Sequence, residues 1–279
     1  MKCIVLTYHS HNIAGTGYGL NDHASLATDL EILHERDAAV VPLEAIAEAV
    51  AAGEAASGSG RLHVGLSFDD GPIFDVEDFV HPKHGPQRSF LNILRDFRAA
   101  NGGKALPQLH ATSFVIASRA ARLAMQRSPG SGYEFIPDWL SDEWWRGAAE
   151  SGFMDIGNHS WDHVHHAVGD VAIGRPERDN FAVVDNFSDA EKEIRPAAEY
   201  IRAKLGRPAT LFAFPFGHVN DYLVREYLPA HGPSMGLKAA FATGGAVRRG
   251  DSVWSIPRLV CGHDWHSPQE FERLLASNA

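Results

Sequence analysis

Cysteine is scarce in this 279-residue chain. Cys3 and Cys261 are too few for a disulfide framework, so two reduced, buried thiols in a reducing compartment are expected. Long apolar runs are also missing. No segment approaches the roughly 20 apolar residues of a membrane-spanning helix. The opening MKCIVLTYHSHN has an apolar core, Cys3 to Leu6, that falls short of a signal-peptide h-region. A soluble, cytoplasmic protein is the expectation. Positive charge is in deficit: 25 Lys and Arg stand against 35 Asp and Glu, a net charge of −10. That argues against a nucleic-acid or anionic-membrane partner. No Gly-x-Gly-x-x-Gly follows a strand pattern, so the dinucleotide fingerprint is absent too.

What is present is an alternation of strand-like and helix-like segments. CIVLTYH, RLHVGLSF, HATSFVI, MDIGNH, TLFAFPFG, KAAFAT and SVWSIPRLV read as strands. Between them lie a Leu26/Leu30/Leu33 helix face, a helix opened by Pro42, and the helix SFLNILRDFRAAN. A helix capped at Ser141-Asp142-Glu143 and ending at Gly152 follows. SDAEKEIRPAAEYIRAKLG reads as one long helix kinked at Pro196. NDYLVREYLPAHG is helical, and PQEFERLLA closes the chain. EAASGSG is a flexible loop. Such alternation implies an α/β fold with parallel strands inside and helices outside, either a barrel or an open doubly wound sheet. With no repeat and no clear linker, residues 1–279 are expected to form one domain. Polar loops around 73–88 and 164–187 are candidates for shaping a substrate groove.

The chemistry concentrates in two stretches. GLSFDDGP ends a strand on Asp69 and Asp70, adjacent carboxylates that a plain strand would send to opposite faces. HSWDH places His159 and His163 four residues apart, which a helix or tight turn brings to one side. Together they give a two-histidine, one-carboxylate site with open positions, a pattern shared by hydrolytic zinc centres and non-haem iron oxygenases. A division of labour then explains the Asp pair. One carboxylate binds the cation, and the other takes a proton from a water whose pKa the cation lowers.

These residues resemble the polysaccharide deacetylases, carbohydrate esterases of family 4 with the NodB-homology fold. SFDDGP is similar to the family's first motif, which carries the catalytic base and then a metal ligand. HSWDH resembles its His-(Ser/Thr)-x-x-His metal motif, and FAFPFG its third motif. HATSFV and LSDEWWRGAAESGFMDIGNHS resemble the intervening segments. Ala213 stands where the third motif usually has Arg, and the usual C-terminal Leu-x-His is missing. LTYH, FAFPFG and SIPRL resemble the circularly permuted branch, the exopolysaccharide N-deacetylases. The resemblance implies a distorted (β/α)7-type barrel and removal of N-acetyl groups from an N-acetylated carbohydrate with a divalent metal, most plausibly Zn2+. It implies Asp70, His159 and His163 as metal ligands and Asp69 as base. The Phe216 backbone N–H would face the oxyanion, His9 would supply the acid, and Arg258 would replace the lost Arg.

Alternative readings are a hydrolase of a cyclic imide, ureide or acetyl ester on the same scaffold, an iron oxygenase using the same triad, or a member that only binds carbohydrate. His263 or His266 would be the acid if it sits at the C-terminal end. His165 and His166 read as bystanders, and Trp144 and Trp161 as packing residues.

Overall fold

The structure is a computed structural model that describes residues 1–55, 60–128 and 138–279. The loop expected over 54–60 falls partly outside these residues. The strands are β1 (Cys3–Tyr8), β2 (Ala39–Val40), β3 (His63–Phe68), β4 (Phe79–His81), β5 (Gly85–Gln87), β6 (Ala111–Val115), β7 (Met154–Asn158), β8 (Leu211–Ala213), β9 (Ala239–Phe241) and β10 (Leu259–Val260). The helices are α1 (Asp22–Glu35), α2 (Leu43–Ala51), α3 (Phe90–Asn101), α4 (Arg119–Arg127), α5 (Trp145–Ala149), α6 (Phe187–Glu193), α7 (Arg195–Leu205), α8 (Leu228–Met235) and α9 (Pro268–Asn278). Local chemistry sets many of their starts. Asn21, Ser89, Ser118 and Ser267 each cap a helix by accepting hydrogen bonds from its first free amides.

The large sheet runs β10-β1-β3-β6-β7-β8-β9, with β2 beside the start of β3. Its pairings are parallel. One segment joins its two edges. The amides of Ala240 and Ala242 donate to the carbonyls of Val253 and Ile256, and a few residues on, Leu259 and Val260 pair with Leu6 and Thr7. The strands thus curl into a distorted (β/α) barrel, as the resemblance implies. Alternation along each strand sorts the side chains. Val5, Phe114, Leu211, Ala213, Phe241 and Ile256 share one apolar cluster with α2, which fills the barrel's lower end. Gly65 is needed there, because a Cβ would stand 2.3 Å from the Leu43 side chain. The opposite row, including Ile4, Leu6, Leu66 and Phe68, packs under α1, α3 and α9.

Several expected elements come out differently, and proline explains most of them. The strand expected over SVWSIPRLV is reduced to a bridge at Ile256 and the two residues of β10; Pro257 between them has no amide for a ladder. The long kinked helix is two helices, α6 and α7, broken at Ile194 with Pro196 in the first turn of α7. The helix over 220–232 begins with a π-turn at Leu223–Tyr227, just before Pro229. Among the described residues α5 has no side-chain cap at its start. α5 spans only Trp145–Ala149, and Asp142 instead receives Arg122, Lys204 and Tyr200. Cys3 and Cys261 are both buried, as expected. Among the described residues no helix is long and apolar enough to cross a membrane.

Candidate active site

All the strand-end residues singled out in the sequence lie at the C-terminal rim of the barrel. His9 follows β1, Asp69 and Asp70 follow β3, His159 follows β7, and Phe216 lies in the turn after β8. They line one cavity of about 490 Å³, together with His11, His163, His165, Gly217, Thr243 and His263. The parallel register pairs Thr7 with Ser67 and Tyr8 with Phe68, so His9 and Asp69 continue adjacent inward-facing rows.

The question raised by two consecutive acids has a backbone answer. Asp70 has φ +72° and Gly71 φ +65°. Two left-handed residues end the strand's alternation, so both carboxylates face the cavity; Asp is among the few side chains that accept this conformation. A Cβ on Gly71 would meet the Val115 side chain at 2.5 Å.

The two carboxylates have separate partners. Asp69 is clamped by Arg258, with Nη1 2.7 Å from Oδ1 and Nη2 2.8 Å from Oδ2. Arg258 is fully buried; its Nε donates to the Ala242 carbonyl and its Nη1 also to Ser67 Oγ. Burial, the largest single influence, pushes the Asp69 carboxyl up, but the charge and hydrogen bonds of Arg258, together with His159 and His9, bring the group below the usual carboxylate range. Asp70 is grouped with imidazoles. Its Oδ1 lies 3.7 Å from His159 Nε2 and 3.5 Å from His163 Nε2. Burial opposes ionisation of Asp70 too, and the surrounding histidines, His163 foremost, bring its pKa down.

The donor set suits a divalent cation. One ligand atom each from Asp70, His159 and His163 lie within 4.8 Å of one another, and all three residues are buried. His159 Nδ1 lies 2.9 Å from the Ala213 carbonyl. As a donor there, it leaves the Nε2 lone pair facing Asp70, the usual device for orienting a ligating imidazole. Burial, and then His159 beside it, lower the His163 pKa well below its ordinary value, which keeps the ring neutral as a ligand must be. The His159–His163 segment is a tight turn, with positive φ at Ser160, His163 and Val164. Asp162 stabilises it by accepting from the Val164 and Ala172 amides.

His9 is half-buried on the cavity wall. Its amide donates to Asp22 Oδ2, and its Nδ1 has no hydrogen-bond partner among the described residues. Phe216 adopts φ 59°, ψ 5°, with its ring 4.3 Å from that of His163. Gly217 holds this turn against Thr243, whose side chain a Cβ would strike at 2.1 Å.

The structure adds His11, which the sequence reading did not single out, and two histidines it set aside. His11 lies 3.6 Å from Asp70 Oδ2, and His165 and His263 stand on the cavity wall. His11 stands two residues after His9, inside the turn that the Asn12 amide closes on the His9 carbonyl. His266 does not line the cavity. Trp144 is buried and Trp161 partly so, and Trp161 packs on Tyr200.

Comparison with known proteins fits this geometry. No curated protein matches the chain in sequence. Among solved structures, IcaB from Ammonifex degensii is similar with a TM-score of 0.61 at 16% identity, covering 99% of this chain and 97% of that one. A de-N-acetylase from Aggregatibacter actinomycetemcomitans gives 0.58 at 18% identity, covering 99% of each. A polysaccharide deacetylase from Bacillus cereus gives 0.58 at 16%, covering 100% of this chain and 69% of that one. At such identities the likeness is one of fold. The family model for polysaccharide deacetylases matches residues 57–232, well over half of the chain. The matched span takes in both the Asp69-Asp70 turn and the His159–His163 loop, and the chain belongs to the polysaccharide deacetylase family, whose members are hydrolytic enzymes.

Proposed function

We propose that this chain removes N-acetyl groups from an N-acetylated sugar or polysaccharide in a metal-dependent hydrolysis. The observation that carries the reading is the division between neighbouring carboxylates: Asp69 is locked to Arg258, while Asp70 is grouped with two imidazoles. An oxygenase using the same triad has no use for the clamped Asp69; a hydrolase needs it as a base.

Asp70, His159 and His163 would hold the divalent ion, with zinc matching two imidazoles and a carboxylate, and the chemistry it supplies when bound is Lewis acidity toward water and a carbonyl. Asp69, ionised at neutral pH, accepts the proton of the attacking water. Arg258 keeps both Asp69 oxygens in place as the carboxylate gains that proton. The Phe216 amide donates to the oxygen that becomes negative when the carbonyl is attacked. His9 protonates the departing nitrogen, because an amide nitrogen leaves poorly without a proton. Acetate and a free amine result.

Acetate release from a panel of N-acetylhexosamine oligomers, with metal analysis of the same protein, tests the reading. Metal-dependent acetate release is expected, abolished by chelation and restored by adding metal back. Release from cyclic imides or ureides but from no N-acetylated sugar overturns it.

A further inference from the structure

We infer that Asp75 is a positioning residue for His9: its carboxyl anchors the Ser10 hydroxyl and thereby orients His9 toward the cavity. The inference rests on the reading of His9 as the acid given above.

Asp75 ends a single 3-10 turn, Ile73–Asp75, that follows Asp69-Asp70-Gly71-Pro72. It is fully buried. Oδ1 accepts a hydrogen bond from Ser10 Oγ at 2.7 Å, and Oδ2 accepts one from Ser113 Oγ at 2.6 Å. Ser113 lies within β6, so one end of this bridge is fixed to the sheet. The other end is the residue after His9.

The placement matters because β1 stops at Tyr8. From His9 onward side-chain tethers replace the strand ladder. Asp22 accepts from the His9 amide at 2.8 Å, and the Ser10 carbonyl lies 2.8 Å from His23 Nε2. His9 opens a tight turn, closed by the Asn12 amide donating to the His9 carbonyl at 2.9 Å, and Ser10 is the next residue in it. Anchoring the Ser10 hydroxyl to Asp75 fixes that turn and with it the orientation of His9 toward the cavity. A carboxyl is a costly way to fill a buried site; burial pushes this one up to about 8. Packing alone calls for an apolar group. Two short bonds to two serines on different elements are what the carboxyl provides.

The test compares Asp75→Asn, Ser10→Ala and the double variant on two substrates. One is an N-acetylated oligomer, whose nitrogen must be protonated to leave. The other is an activated aryl acetate, whose leaving group needs no proton. Each single variant is expected to lose roughly 10- to 100-fold in amide kcat, the scale of a misplaced catalytic group. Aryl acetate hydrolysis and bound metal should stay within about two-fold of wild type, and the double variant should fall no further than the worse single. Ser10→Ala leaves the Asp75–Ser113 bond intact and serves if Asp75→Asn folds poorly. Equal loss on both substrates, or loss of metal in Ser10→Ala, reduces the bridge to a structural role and overturns the inference. His9→Ala run alongside separates the two readings. Normal amide turnover in His9→Ala removes the acid assignment and the inference with it. An amide-selective loss in His9→Ala without one in Ser10→Ala removes the inference alone.

Discussion

Arg258 and Asp69 meet as two parallel hydrogen bonds, Nη1 to Oδ1 at 2.7 Å and Nη2 to Oδ2 at 2.8 Å, across 189 residues of sequence. A guanidinium makes this fork and an ammonium does not. Arg258→Lys keeps the charge and loses one bond, so Asp69, the proposed base, is free to rotate. Turnover should drop on the order of 10²-fold while bound metal is unchanged. Arg258→Ala goes further and leaves a buried carboxylate without its counter-charge, at a cost of about 3–5 kcal/mol read from denaturant unfolding. A lysine variant with wild-type kcat would show that the fork does not serve the base.

The adjacent acids should part company in the same assay. Asp69→Asn removes an acceptor held by Arg258 and nothing from the Asp70/His159/His163 group. It should keep its metal and lose roughly 10²-fold or more in turnover. Asp70→Asn, and His163→Ala likewise, should lose metal first and activity as a consequence. Full metal occupancy in His163→Ala is incompatible with the proposed ligand set.

The parts of this site that can be seen in the sequence are those written locally. Asp69-Asp70 and His159-x-x-x-His163 are short spacings at strand ends, and the alternation of strands and helices puts strand ends on one rim. Arg258 came from resemblance alone, since nothing near it in sequence points to Asp69. Asp75 is less visible still: its partners Ser10 and Ser113 are 65 and 38 residues away. The same distance effect undoes the expected cap at Ser141-Asp142, because Lys204 and Tyr200 come from 62 and 58 residues further on. The hairpin β4–β5 sits inside a stretch read as polar loop, although His81-Pro82-Lys83-His84-Gly85 carries a turn's residues.

Three histidines compete for the acid role, and their settings differ. His9 sits on the cavity wall beside the rows that end in Asp69. His11 touches Asp70, 3.6 Å from Oδ2. The His263 side chain is 82% exposed and leans on Asp264. His9→Ala should abolish most amide turnover with metal retained. His11→Ala should instead weaken metal retention, because it removes a neighbour of Asp70, the proposed ligand carboxylate. His263→Ala should leave kcat within about two-fold, as surface substitutions generally do. Amide turnover lost in His263→Ala and kept in His9→Ala would put the acid at the C-terminal end of the chain and end the permuted assignment.

Asp29 provides a pH test of the fold that is independent of the metal site. It is fully buried on α1 and accepts hydrogen bonds from Tyr8, Tyr18 and Trp265, tying the first strand to the C-terminal segment. Burial is the largest influence on it and raises its pKa to about 7, although those three donors pull the other way. The unfolded value is about 3.9. Between the two the folded chain keeps a proton that the unfolded chain has released, so this group's contribution to stability falls as pH rises from about 4 and levels off above about 7. The change is on the order of 4 kcal/mol. Asn cannot titrate and offers one oxygen to three donors. Asp29→Asn should therefore be clearly less stable than wild type at pH 4, with the difference shrinking or reversing by pH 8. Urea midpoints of both proteins across that range measure it. A gap that stays constant from pH 4 to pH 8 means that Asp29 is ionised in the fold throughout, with the donors outweighing burial.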